Sequence, residues 1–180
     1  MAAPIEGESA LIVPVALPAT LEQLRDRFDP SASQGVPGHI TLLYPFMPPG
    51  KQQHEVLTRV ALIAAAVPAF SFTLGRVQRW PDVVSLLPDP SEPFSRLVRA
   101  LAEDFPDYPP YAGAHAVNDI MPHVTIAQSR RPEDLDRAQE ALSTLEPITM
   151  RCEEVAFIAR QPSKHWQFVW RYRLPIKLGG

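Results

Sequence analysis

Two short stretches of the chain place a histidine and a threonine two residues apart within otherwise apolar runs. They are His39 and Thr41 in GHITLLYPF (38–46), and His123 and Thr125 in PHVTIAQS (122–129). Side chains in a strand alternate faces, so each His/Thr pair shares one face. Ile40, Leu42 and Tyr44, or Val124 and Ile126, take the other. If two such strands lie together, two imidazoles and two hydroxyls converge. That set suits in-line displacement at phosphorus. One neutral imidazole takes a proton from the attacking oxygen, and the other, protonated, gives one to the leaving oxygen. The threonine hydroxyls donate to the non-bridging oxygens, where charge must be held. A lone strand histidine is most often a packing or surface residue. The repetition, each time directly behind a turn residue (Gly38, Pro122), argues for chemistry.

The elements that must carry these residues follow from periodicity and turn residues. Strands are predicted over 9–17, 39–46, 69–80, 82–89, 120–129, 148–160 and 165–176, with 69–80 and 82–89 forming a hairpin around Trp80-Pro81-Asp82. Helices are predicted over 19–29 (Thr20 as N-cap; Leu21, Leu24 and Phe28 inward), 51–67, 91–105 (Phe94, Leu97, Val98 and Leu101 inward) and 131–145. Loops fill 31–38 and 106–119. Each half of the chain runs helix, loop, His-x-Thr strand, helix, two strands. This repeat is one of organisation only, since the sequences match nowhere outside the motif, and it is what two lobes facing one cleft would show.

Other residues compete for roles. Trp80 and Tyr111, in turn and loop positions, are candidates to stack a base. Tyr44 and Phe46, opposite His39, and Trp166 and Trp170, on one face of the last strand, read as core. His115, in YAGAHAVND, is a candidate for the cleft mouth, although an exposed loop histidine is the simpler reading; His54 and His165 read as surface. A metal site would have to recruit His39, His123, His115 and Asp119, which lack helical or cysteine-assisted ligand spacing, so no metal is expected. Residues 151–180 carry Arg151, Arg160, Lys164, Arg171, Arg173 and Lys177 against Glu153 and Glu154. That surplus is either a rim for a nucleotide or RNA end, or one solvated strand face.

With these residues in view the chain resembles the two-histidine (2H) phosphoesterases, whose signature is a pair of H-x-[T/S]-x motifs, here HITL and HVTI. It looks most like the bacterial 2′–5′ RNA ligase/cyclic phosphodiesterase branch. SLLPDPSEPFSRL, DYPPYAGAHAVNDIMPHVTIA and the late aromatic-basic strand share that branch's look, so the resemblance covers roughly 10–175. It implies an α+β, bilobal, pseudo-symmetric LigT-like fold over 1–180 as a single domain, with two antiparallel sheets lining a central cleft and helices outside. It implies metal-independent, cofactor-free opening of 2′,3′-cyclic phosphates on a small cyclic nucleotide or RNA terminus. His39, Thr41, His123 and Thr125 fall on the signature positions, with His123 taken as base and His39 as acid, or the reverse. Tyr111, His115, Trp80 and Arg130 are the expected substrate contacts. Some members of the branch carry an arginine shortly after the second motif; here Gln128 stands there, followed by Arg130 and Arg131. This favours phosphodiesterase chemistry over 2′–5′ RNA ligation. A binding module that holds a nucleotide or RNA end without turnover is the rival from another class.

Composition bounds the rest. The chain has 180 residues, 46% hydrophobic and 21% charged, with a net charge of −3. These are values of a globular protein, and they speak against a protein held on long nucleic acid by phosphate neutralisation. A single cysteine, Cys152, excludes an intrachain disulfide and a Cys-rich zinc site. The 21 prolines, more than twice the usual ~5%, are spread as turn rigidifiers. No leader-like or membrane-length apolar segment is read, so the expectation is a cytoplasmic monomer without a membrane or stable protein partner.

Overall fold

The computed structural model describes residues 8–50 and 53–176. Its strands are β1 (Ser9–Pro14), β2 (His39–Leu43), β3 (Phe70–Arg79), β4 (Val83–Asp89), β5 (Val124–Gln128), β6 (Ile148–Cys152), β7 (Glu154–Arg160) and β8 (Trp166–Arg173). The helices are α1 (Ala19–Phe28), α2 (Pro30–Ser33), α3 (Gln53–Ala65), α4 (Glu92–Asp104) and α5 (Pro132–Leu142). All eight strands form one antiparallel sheet in the order β6-β3-β4-β5-β2-β1-β7-β8.

The two expected sheets are the two halves of this one. They meet where β2 pairs with β5 through Ile40 and Val124. Counting outward from that seam, β2 matches β5, β1 matches β4, and β7 matches β3. Helices cover one face. α4 packs on β2 and α3 on α4, while α1 packs on β5 and α5 on β3, β4 and β5. Each half of the sheet therefore takes a helix from the other half of the chain. The main core lies between sheet and helices, with Ile40, Leu42, Leu86, Phe94, Leu97, Val124 and Phe157 all essentially sealed from water.

Each motif strand carries a β-bulge at the same place. Leu11 faces Leu43 but Ile12 faces Thr41, and Val84 faces Ala127 but Ser85 faces Thr125. The unpaired extra residues are Leu42 and Ile126, the fourth residue of each motif. A bulge shifts the alternation by one, so the residue after it also turns inward. Leu42 and Leu43, like Ile126 and Ala127, are accordingly buried in succession.

Several expectations are corrected by these features. Tyr44 is thrown by the bulge onto the same face as Thr41. It packs there with Ala10, Ile12, Val36, Ala156, Ile158 and Trp166, rather than in the main core with Phe46. Trp166 and Trp170 lie on opposite faces, because Phe157 pairs with Trp170 and Ile158 with Phe168, leaving Val169 as the extra residue. The single strand foreseen over 148–160 breaks at Glu153. β6 goes to the far edge beside β3, and β7 to the other half beside β1. Thr20 lies inside α1, with Pro18 in the capping position and no side-chain cap. α2 occupies the start of the loop expected over 31–38, capped by Asp29. Lys51 and Gln52, at the expected start of α3, lie outside the described residues.

Candidate active site

The two motifs meet at the middle of the sheet, on the face away from the helices. Extending the Ile40–Val124 antiparallel pair by one residue each way sets His39 beside Thr125 and Thr41 beside His123. Two imidazoles and two hydroxyls thus form a crossed square about the pseudo-twofold axis. The rings are close enough that charge on His123 disfavours charge on His39.

The two rings are held alike. His39 Nδ1 is 2.8 Å from the Pro37 carbonyl oxygen, and His123 Nδ1 is 2.8 Å from that of Met121. A carbonyl only accepts, so Nδ1 carries the hydrogen and donates in both, leaving Nε2 as the free basic nitrogen. Burial is the largest influence on His39 and lowers its pKa from 6.5 to about 4, with Arg25 and His123 adding to the effect and the Pro37 carbonyl opposing it. Burial also lowers His123, again against the pull of its carbonyl. Both imidazoles are therefore neutral near pH 7.

The strand entrance to His39 depends on Gly38. Val15 N–H donates to the Gly38 carbonyl at 2.8 Å, and a Cβ at position 38 would fall 2.8 Å from the Val15 carbonyl oxygen. The turn before it is braced from α1 by a residue that sequence reasoning passed over. Arg25 is 1% exposed and donates to the Val36 carbonyl at 3.0 Å and to Asp29 at 3.1 Å. It therefore holds the carbonyl adjacent to the one that orients His39. Its signal was present: Arg25 falls four residues after Leu21 and four before Asp29, on the inward face of α1.

Of the four expected substrate contacts, three gather here. The Trp80 ring centroid is 5.0 Å from that of His123. The Tyr111 phenol lies near enough to the Thr41 side chain to feel it, and burial raises its pKa. Its loop is tied down by Tyr111 N–H donating to the Tyr44 carbonyl. Tyr111 and Ala112 both take left-handed backbone, φ 53° and 52°, a strain of about 1–3 kcal/mol per residue that recurs at functional sites. His115 is exposed, with its ring 6.0 Å from that of Tyr111, at the mouth. Arg130 is not brought to the imidazoles. It is exposed in the turn after β5, at the opposite end of that strand from His123.

The basic C-terminal rim is also dispersed. Arg151 lies on β6, at the far edge, paired with Glu153, while Arg160 pairs with Glu8 and Arg171 with Glu154. Lys177 lies outside the described residues. Ser85 is a second residue the sequence reading missed: it faces Thr125 across β4–β5 and is fully buried. A lone hydroxyl in the apolar run DVVSLLPD was the available sign. Among the described residues no three His, Cys, Asp or Glu side chains converge as metal ligands, and no helix is long and apolar enough to cross a membrane.

Known proteins share this fold and its sequence profile. E. coli LigT in its apo form is 18% identical, with a TM-score of 0.56 over 94% of this chain and 98% of its own. The TT0787 protein of Thermus thermophilus is 18% identical, with a TM-score of 0.59 over 95% and 100%. E. coli LigT complexed with 3′-AMP is 18% identical, with a TM-score of 0.55 over 95% and 99%. At these identities the likeness is one of fold. No curated protein sequence matches. The profile of the 2′–5′ RNA ligase superfamily matches residues 13–164, which takes in both motifs. The chain belongs to the 2′–5′ RNA ligase superfamily of two-histidine phosphoesterases.

Proposed function

We propose that the protein is a hydrolase that opens 2′,3′-cyclic phosphates of nucleotides or RNA ends, with His39 and His123 as its acid–base pair. The observation that carries this reading is the matched clamp on the two rings. Each Nδ1 is tied to the carbonyl two residues back, so each ring offers Nε2 to the same cleft. In-line displacement needs one proton acceptor and one donor on opposite sides of a phosphorus, and two equivalent nitrogens across a pseudo-twofold axis supply them.

His123 Nε2 takes a proton from water as its oxygen bonds to phosphorus. The bond from phosphorus to the ribose 2′ or 3′ oxygen breaks, and that oxygen takes the proton from His39 Nε2. Thr41 and Thr125 donate to the non-bridging oxygens as the five-coordinate charge develops. One proton enters and one leaves, so the pair is reset by exchange with solvent. Burial keeps both rings neutral, and the negative phosphate of the substrate supplies the field that lets one of them gain its proton.

LigT is known in complex with 3′-AMP, a nucleotide of the kind such an opening yields. The test is chromatography of the four 2′,3′-cyclic nucleotides incubated with the protein, with and without EDTA. Linear monophosphate formed at an unchanged rate in EDTA supports the reading, and its isomer identifies the leaving oxygen. Tight binding of the cyclic nucleotides with no product would replace it with the binding-module reading.

A further inference from the structure

The two halves of the cleft match residue for residue at the motifs but differ at the position just beyond them. The cross-strand partner of Thr41 is Ile12, and the partner of Thr125 is Ser85. These are equivalent places, each on the strand next to the motif strand and each directly after its bulge. The apolar Ile12 is satisfied there, at 0% exposure within the small cluster of Ala10, Val36, Ala156 and Ile158. Ser85 is not. It is 0% exposed, and its Oγ has no hydrogen-bond partner. Its neighbours Val84 and Leu86 both point into the main core, so its own side chain points to the cleft.

Gln78 and Trp80 stand on the β3 side of Ser85. Trp80 leaves the end of β3, where Trp80 N–H donates to the Val83 carbonyl, and its ring meets His123 at the start of β5. On β4 the Ser85 row lies between these two points, with Gln78 as its partner on β3. A buried hydroxyl without a partner costs about 1–3 kcal/mol. An alanine there would avoid that cost.

We infer that Ser85 is a third donor to the substrate's phosphoryl group, acting with Thr125 and reached when Trp80 tilts away. Directly opposed residues in an antiparallel pair have Cβ atoms about 4.5–5.5 Å apart, so both hydroxyls can bond one tetrahedral anion. The consequence is a polarity the motifs themselves lack. The phosphoryl oxygens are drawn toward Thr125 and Ser85, and the less polar part of the ligand lies toward Ile12, Tyr44 and Trp166. This deepens the proposed function, on whose phosphate site it rests.

The experiment is calorimetric titration of inorganic phosphate into the wild type and Ser85→Ala, with melting temperatures of both and turnover of 2′,3′-cyclic nucleotides alongside. The expected result is phosphate affinity and kcat/KM each lowered about tenfold or more in Ser85→Ala, as for a hydrogen bond to a charged group. The melting temperature should be equal or higher, because the orphaned hydroxyl is gone. Unchanged phosphate affinity in Ser85→Ala, or a wild type that binds no phosphate, overturns the inference. Weakened phosphate binding in the variant without cyclic-nucleotide turnover in the wild type upholds Ser85 as a phosphate donor, and overturns only the hydrolase reading.

Discussion

Ile40 of β2 and Val124 of β5 form the bridge that joins the two halves of the sheet, and both are sealed in the core behind the cleft. Their pairing sets the spacing of all four motif side chains, although neither residue faces the cleft. Ile40→Ala should lower stability by about 2–5 kcal/mol, the usual cost of emptying such a site. It should also slow turnover of any substrate, since the seam loosens where the imidazoles must stay in register. Denaturant unfolding and steady-state rates on the same preparation check both.

Arg25 tests the brace behind His39. Its partner Asp29 is as buried as it is. Arg25→Met would leave that carboxylate buried and unpaired, so a loss of about 3–5 kcal/mol is expected in denaturant unfolding. The double variant Arg25→Met/Asp29→Asn should recover part of the stability but not the rate. The Val36 carbonyl still lacks its donor, and the turn that aims His39 stays loose.

Tyr111→Phe removes a phenol that stands near the Thr41 side chain but keeps the ring. The expected outcome is a fall of about tenfold in kcat/KM with the melting temperature held, consistent with one hydrogen bond in the cleft. A full rate in this variant would confine Tyr111 to packing.

The half-buried His39 imidazole makes a separate prediction about acid. His39 has its pKa lowered from 6.5 to about 4 in the folded protein. Between those values the unfolded chain binds the proton and the folded protein does not. Its contribution is therefore intact above about pH 6.5 and is lost progressively as the pH falls toward 4. His39→Asn should flatten that part of the stability curve, read from melting temperatures in buffers of matched ionic strength.

The motif strands, their shared face and the order of elements are readable from the sequence, because period-two alternation and well-placed prolines and glycines are local signals. The parts that escape it are not local. Tyr44 and Trp166 change faces because a bulge adds one residue, and nothing in HITLLYPF or HWQFVWRYR marks which residue is extra. The break at Glu153 separates two strands that pair at opposite ends of the sheet, a choice made by partners more than 70 residues away for β6. Arg25 is of a residue type that ordinarily sits at the surface, and only the packed turn at Val36 shows why a guanidinium is sealed inside. Arg130 is near the second motif in sequence but not in space, because the strand carries it to the other end.

The central claim is that His39 and His123 act as one acid–base pair, and the direct measurement is turnover of 2′,3′-cyclic nucleotides by the wild type, His39→Ala and His123→Ala. Both substitutions should lower kcat by about 10²–10⁴-fold while leaving the folded protein intact by circular dichroism. Full activity in either variant would contradict the pairing of the two rings.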